Sequence, residues 1–135
     1  MILKFRAWLK EELEMQDVLA FDVRGHSFLG IEGTHVRVEG WCDYFEVDKQ
    51  VVIMQSTGLK DLNGVESWEG NYLTKEGCWP FFIKWIENEG CLMAVPVNSI
   101  QKTNWKPVSV KELLDKGYVN NSNIYENPEL LEGIK

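Results

Sequence analysis

"MQSTGLKDLNGVESWEGNYL", residues 54–73, closes a β-like run and then sets Gly58, Gly64 and Gly70 around an Asn-Gly pair and Trp68. Three readings compete for it: a calcium loop, a phosphate cradle, or the joint of a small β structure. A calcium loop alternates oxygen ligands about a central glycine and ends on a bidentate glutamate. With Asp61 as first ligand, Gly64 falls two places early and Tyr72 stands where the glutamate belongs. A phosphate cradle opens a helix and commonly ends in a Lys-Ser/Thr pair. Here the glycines open strands, and Lys60 precedes Asn63-Gly64. The structural reading is left: Asn63-Gly64 makes a tight turn, and Gly70 lets a strand start close to another backbone.

Outward from this joint, β signals dominate. "ILKFRAW" (2–8) alternates, with Leu3, Phe5 and Ala7 on one face and Lys4 and Arg6 on the other. "VLAFDV" (18–23), "THVRVEG" (34–40) and "VVIMQST" (51–57) read as strands between Gly and Asp clusters. "GNYLTK" (70–75), "CWPFFIKWI" (78–86) and "CLMAVPV" (91–97) continue the pattern. The last two are joined by "ENEG", a hairpin loop with Gly90 available for positive φ. Strong helix formers in "LKEELEMQ" (9–16) predict a short helical turn. Two helix starts are marked further on. Ser109 with Glu112 forms a capping box that Gly117 can close, and "NPELLEG" (127–133) offers an Asn cap, a first-turn proline and a terminal glycine. The expected class is mainly β, a β-rich α+β chain with short helices.

At 135 residues and 44% hydrophobic composition, the chain can bury a core without staples. No apolar run approaches the roughly 20 residues that cross a bilayer. Lys4 and Arg6 interrupt the N-terminal apolar stretch, so no signal-peptide core is expected and the expected location is the cytoplasm. Net charge is −7. An acidic surface repels phosphate, which sets aside duplex DNA as a partner. The basic exception is residues 102–119, where Trp105 lies between Lys102 and Lys106. Single-strand binders use that pairing for stacking, but a solvated loop leading into a helix is the preferred reading.

Cys42, Cys78 and Cys91 form no CxxC pair and one is odd, so neither a disulfide framework nor a Cys-rich zinc site is expected. They read as buried or inert, since each sits beside Trp, Leu or Gly rather than a basic group. His26 and His35 have no helical metal spacing, and neither HExxH nor Gly-x-Ser-x-Gly occurs. Carboxylate pairs such as Glu11-Glu12 read as solvated turns. The chain is expected to be no enzyme and to hold no metal or organic cofactor.

"KFRAW" (4–8), "MQSTGLKDLNG" (54–64), "WEGNYL" (68–73) and "NIYENPELLE" (123–132) together resemble the YopX family of small bacteriophage and prophage proteins. The resemblance implies a mostly β chain whose C-terminal part is a small SH3-like barrel; the expected division is an N-terminal β subdomain over 1–56 and the barrel subdomain over 57–135. It implies neither an enzyme activity nor a molecular function. Where the family commonly carries an acid after "EG", this chain has Asn71, which argues against a charged role there. Residues 75–121 are read from their physics alone.

Alternation puts Trp79, Phe81, Ile83 and Trp85 on the inner face of the 78–96 hairpin. Pro80, Phe82 and Ile86 then form an outer face that is still largely apolar around Lys84. Apolar patches of that kind mark interfaces. Pro80, Phe82 and Ile86 are therefore the candidate protein contacts, and self-association is expected beside an unidentified host or phage partner. The leading expectation is a non-catalytic protein-binding accessory module. The alternative is a nucleic-acid-linked role, as an acidic DNA mimic or a weak single-strand binder through Lys102, Trp105 and Lys106.

Overall fold

A computed structural model describes residues 3–97 and 106–129, and it is mainly β. The chain divides into two compact units, Met1–Gln55 and Ser56–Lys135. No helix among the described residues is long and apolar enough to cross a membrane.

In the first unit β1 (Phe5–Leu9), β2 (Glu14–Asp22), β3 (His35–Val38) and β4 (Tyr44–Glu46) form antiparallel pairs. β5 (Val51–Lys60) adds its first half to β1, giving the order β4-β3-β2-β1-β5. Period-two alternation decides the buried face: Ala7 and Leu9 from β1, Val36 and Val38 from β3, with Phe45 and Val51, make its core. A bulge in β2 changes that alternation. Val18 pairs with the buried Val38, but Ala20 pairs with the exposed Arg37, so one extra residue is accommodated between them. Phe21 thereby shares a face with Val36 and stacks on Phe5 at 5.8 Å, while Ala20 and Asp22 turn outward.

The helical turn expected over 9–16 is a hairpin instead. Residues 10–13 form a turn, Leu13 takes φ 59°, its N–H donates to the Leu9 carbonyl at 2.8 Å, and β2 starts at Glu14. Pairing on both sides, to β1 and β3, overrides the helix propensity of Glu and Leu.

In the second unit the end of β5 pairs with β6 (Glu66–Trp68) across the Asp61–Val65 turn. β7 (Asn71–Thr74), β8 (Phe81–Ile86), β9 (Cys91–Pro96) and β10 (Val119–Asn123) form a second antiparallel sheet, ordered β10-β7-β8-β9. No ladder between β10 and β9 closes it into a barrel among the described residues. β9's other side is taken by Val108, which exchanges both backbone hydrogen bonds with Ala94 at 2.7 and 2.8 Å. α1 (Val110–Asp115) lays Val110, Leu113 and Leu114 onto a core of Leu73, Ile83, Ala94 and Tyr118.

The serine cap and the turn readings hold, while the Glu112 carboxylate of the expected capping box accepts from Lys116 Nζ at 3.3 Å. Ser109 Oγ accepts from the Glu112 N–H at 3.4 Å, and Gly117 follows the helix at φ 99°. Gly64 turns at φ 80° and donates to the Asp61 carbonyl, and Gly90 closes the β8–β9 hairpin at φ 66°. The helix expected at 127–133 lies mostly outside the described residues; Pro128 and Glu129 form a short 3-10 turn.

Candidate functional site

The first unit carries a cavity of about 250 Å³ on the outer face of β2, β3 and β4, lined by Ala20, Phe21, Asp22, His26, His35, Arg37 and Tyr44. Sheet register builds its floor. Ala20, Arg37 and Tyr44 form one cross-strand row, and Asp22, His35 and Glu46 form the next. The 23–34 connection folds so that His26 reaches this floor: its ring centroid lies 6.4 Å from those of both His35 and Tyr44. His35 and Tyr44 meet edge-on at 5.3 Å.

This covering explains why His35, on the outer face of a sheet, is only 4% exposed. With its proton on Nδ1 the ring donates to the Gly33 carbonyl at 3.3 Å. The two carboxylates flanking it across the row are already engaged. Asp22 Oδ1 accepts from the Arg24 backbone N–H at 2.8 Å and from Arg24 Nε at 3.4 Å, and those bonds lower the Asp22 pKa. Glu46 Oε2 pairs with Lys49 Nζ at 3.1 Å.

The connection above the cavity has its own scaffold. His26 and Ile31 exchange backbone hydrogen bonds at 2.7 and 3.0 Å, Leu29 donates to His26, and Gly30 donates to Ser27 at φ 72°. The turn inside that frame, Ser27–Leu29, buries none of its side chains. Phe28 is 91% exposed, and Val23 and Leu29 of the same connection are exposed as well. A well-bonded backbone thus holds a phenylalanine in solvent.

The second unit has a polar cluster of a different kind. Asp61, 6% exposed, accepts on Oδ1 from the Asn63 and Val65 N–H groups and on Oδ2 from both the backbone and side-chain N–H of Asn120. Burial pushes the Asp61 pKa up, but these bonds outweigh it and hold the carboxyl below its usual value. Asn120 Nδ2 also reaches Ser67 Oγ at 2.9 Å, and Asn71 Nδ2 donates to Asn120 Oδ1 at 3.0 Å. Every member is satisfied from within the chain, so the cluster is the fastening of β10 to the 61–65 turn. The 54–73 stretch is a joint.

The residues singled out on the 78–96 hairpin are distributed differently from the expectation. Pro80 is buried, Phe82 and Ile86 are half-buried, and Lys84 is exposed. Ile83 and Phe81 do face the core, but Trp79 and Trp85 are 41% and 45% exposed. The core cluster on this face takes in Phe81 and Ile83 but neither tryptophan. Trp79 Nε1 is satisfied by the Val97 carbonyl at 2.9 Å. Lys106 is exposed, and Lys102 and Trp105 lie outside the described residues.

Cys42, Cys78 and Cys91 were expected to be buried or inert; all three are exposed, so burial does not hold. Cys42 lies in the β3–β4 connection, Cys78 in the turn before β8 and Cys91 at the hairpin end of β9. Among the described residues no three His, Cys, Asp or Glu side chains assemble as a metal site. The sequence reading missed the His26–His35–Tyr44 cluster. Its only advance signal was the spacing of nine between two histidines flanking a Gly-rich loop, and the β2 bulge that completes the floor has no sequence mark.

Comparison with known proteins places the chain. The family model described as YopX protein matches residues 4–132. The crystal structure of protein EF1440 from Enterococcus faecalis is similar at 28% identity and a TM-score of 0.58, covering 97% of this chain and 99% of that one. No curated protein matches.

Proposed function

The chain belongs to the YopX family, and from that premise we propose a non-catalytic protein-binding module, an accessory of a phage or prophage acting in the host cytoplasm. The observation that carries this reading is Phe28. Burying a phenylalanine stabilises a fold by about 1.5–3 kcal/mol, yet this one is held outward by four backbone hydrogen bonds around the 26–31 frame. Val23, Leu19 and Leu29 add apolar surface from the same connection and from the end of β2. Aromatic residues, phenylalanine among them, are enriched at the cores of protein interfaces. The acidic composition fits the same reading, since it disfavours phosphate-rich partners.

The test is affinity capture from the bacterium that carries the gene, with wild type and Phe28→Ser run side by side. A partner retained by wild type and lost by the variant supports the proposal. Identical captures from both place recognition elsewhere.

Self-association belongs to the proposal too. Trp79 and Trp85 add exposed aromatic surface to the hairpin that carries Phe82 and Ile86, and a second copy is the partner that is always at hand.

A further inference from the structure

We infer that the cavity floored by Arg37, Tyr44 and His35 is a binding site for a small aromatic oxyanion, with a carboxylate or phosphate group on the Arg37 guanidinium and a flat ring against His26 and Tyr44. The inference does not depend on the protein-binding proposal above.

The first unit is acidic, with ten Asp and Glu against six Lys and Arg over residues 1–55, so a cation there has many carboxylates to choose from. Its other described cations are engaged: Arg24 with Asp22, Lys49 with Glu46, Lys10 with the Asp48 carbonyl at 2.7 Å, and Lys4 and Arg6 with further partners. Arg37 makes no hydrogen bond or ion pair among the described residues, and it lines the cavity. Nor do the Tyr44 hydroxyl and the His26 ring make any hydrogen bond there. Arginine offers five N–H donors in a planar fork, the tyrosine one O–H, and the imidazole one N–H.

Asp22 lines the cavity too, but the bonds of its carboxylate, like those of Glu46, go to cations other than Arg37. Asp22 and Glu46, beside His35 in its row, are held by Arg24 and Lys49. A guanidinium fork matches carboxylate or phosphate oxygens two at a time. The aromatic walls then choose among oxyanions. His26 and Tyr44 are tilted by 36° with centroids 6.4 Å apart, and a planar ring bearing the acid group gains contact that a bare ion lacks. At about 250 Å³ the cavity falls just below the range for drug-sized ligands, so the ligand is a single substituted ring.

The probes are phenyl phosphate and benzoate, compared with inorganic phosphate and with sodium chloride at matched ionic strength. The readout is the NMR resonances of the His26 and His35 rings and the Arg37 Nε–H. Saturating shifts at low millimolar phenyl phosphate or benzoate are expected, with inorganic phosphate at least tenfold weaker. Arg37→Gln should abolish saturation, Arg37→Lys should weaken it several-fold, and Lys84→Gln, which removes the same charge from the second unit, should leave it unchanged. Arg37 is exposed, so its variants should keep the wild-type amide spectrum outside the cavity. Shifts that follow ionic strength alone, or that persist in Arg37→Gln, overturn the assignment. A response to inorganic phosphate equal to that of phenyl phosphate removes the aromatic part of it.

Discussion

Asp61 Oδ2 accepts two hydrogen bonds from Asn120, one from its backbone N–H at 2.9 Å and one from its side-chain amide at 3.0 Å, across 59 residues of sequence. Through them a turn after β5 holds β10, a strand of sequence VNNSN with little β propensity of its own. Asp61→Asn keeps the shape but replaces an acceptor oxygen with a donor facing donors. It should cost about 2–3 kcal/mol, the penalty for leaving buried N–H groups unpaired, measured as a lowered urea midpoint.

The same carboxylate gives acid sensitivity a sign. Its pKa is lowered on folding, so its contribution is full above the unfolded value near 3.8 and fades as pH falls through the lower folded value. Stability measured from pH 5 downward should therefore fall more steeply below about pH 4 in wild type than in Asp61→Asn. Parallel curves would mean that the carboxylate titrates alike in folded and unfolded chains.

Gly70 and Gly77 separate backbone strain from crowding. Both have positive φ, 90° and 76°, but a Cβ on Gly70 would lie 2.9 Å from Tyr125 Cε2, whereas one on Gly77 meets nothing within 4 Å. Gly77→Ala should cost about 1 kcal/mol for its left-handed conformation. Gly70→Ala should cost distinctly more. Thermal denaturation of the two variants gives the difference directly.

All three cysteines should react with a water-soluble disulfide reagent in the native protein without denaturant, because each is exposed. A thiol that reacts only after unfolding would contradict its placement.

Self-association through the 78–96 hairpin should appear as a dimer or larger species in light scattering behind size exclusion. Trp85→Glu, at an exposed position, should dissociate it without unfolding the chain. Phe82→Glu is expected to destabilise as well, since Phe82 is half-buried. A monomer at tens of micromolar would remove self-association from the account.

The strands that were legible in the sequence are those whose alternation reports burial directly, such as β1 with Ala7 and Leu9 inside, or those as rich in apolar residues as β8, FFIKWI. Turn chemistry was equally readable: Gly64, Gly90 and the Ser109 cap act where glycine and serine ordinarily act. β4 and β6 were missed because three residues carry too little pattern, and β10 because its order comes from Asp61 and Asn71, far away in sequence. The candidate cavity was hidden by the β2 bulge. Strict alternation assigns Ala20 to the face of Val18, and only the observed register sends it, with Asp22, to the side of Arg37.

The central claim is that the 23–34 connection displays Phe28 to a protein partner. A photo-crosslinking phenylalanine analogue at position 28, with the same analogue at the exposed position 84 of β8 as reference, tests it in cells of the bacterium that carries the gene. The account predicts a discrete crosslinked species from position 28 that is absent from position 84. No adduct at position 28, or the same adducts from both positions, would contradict it.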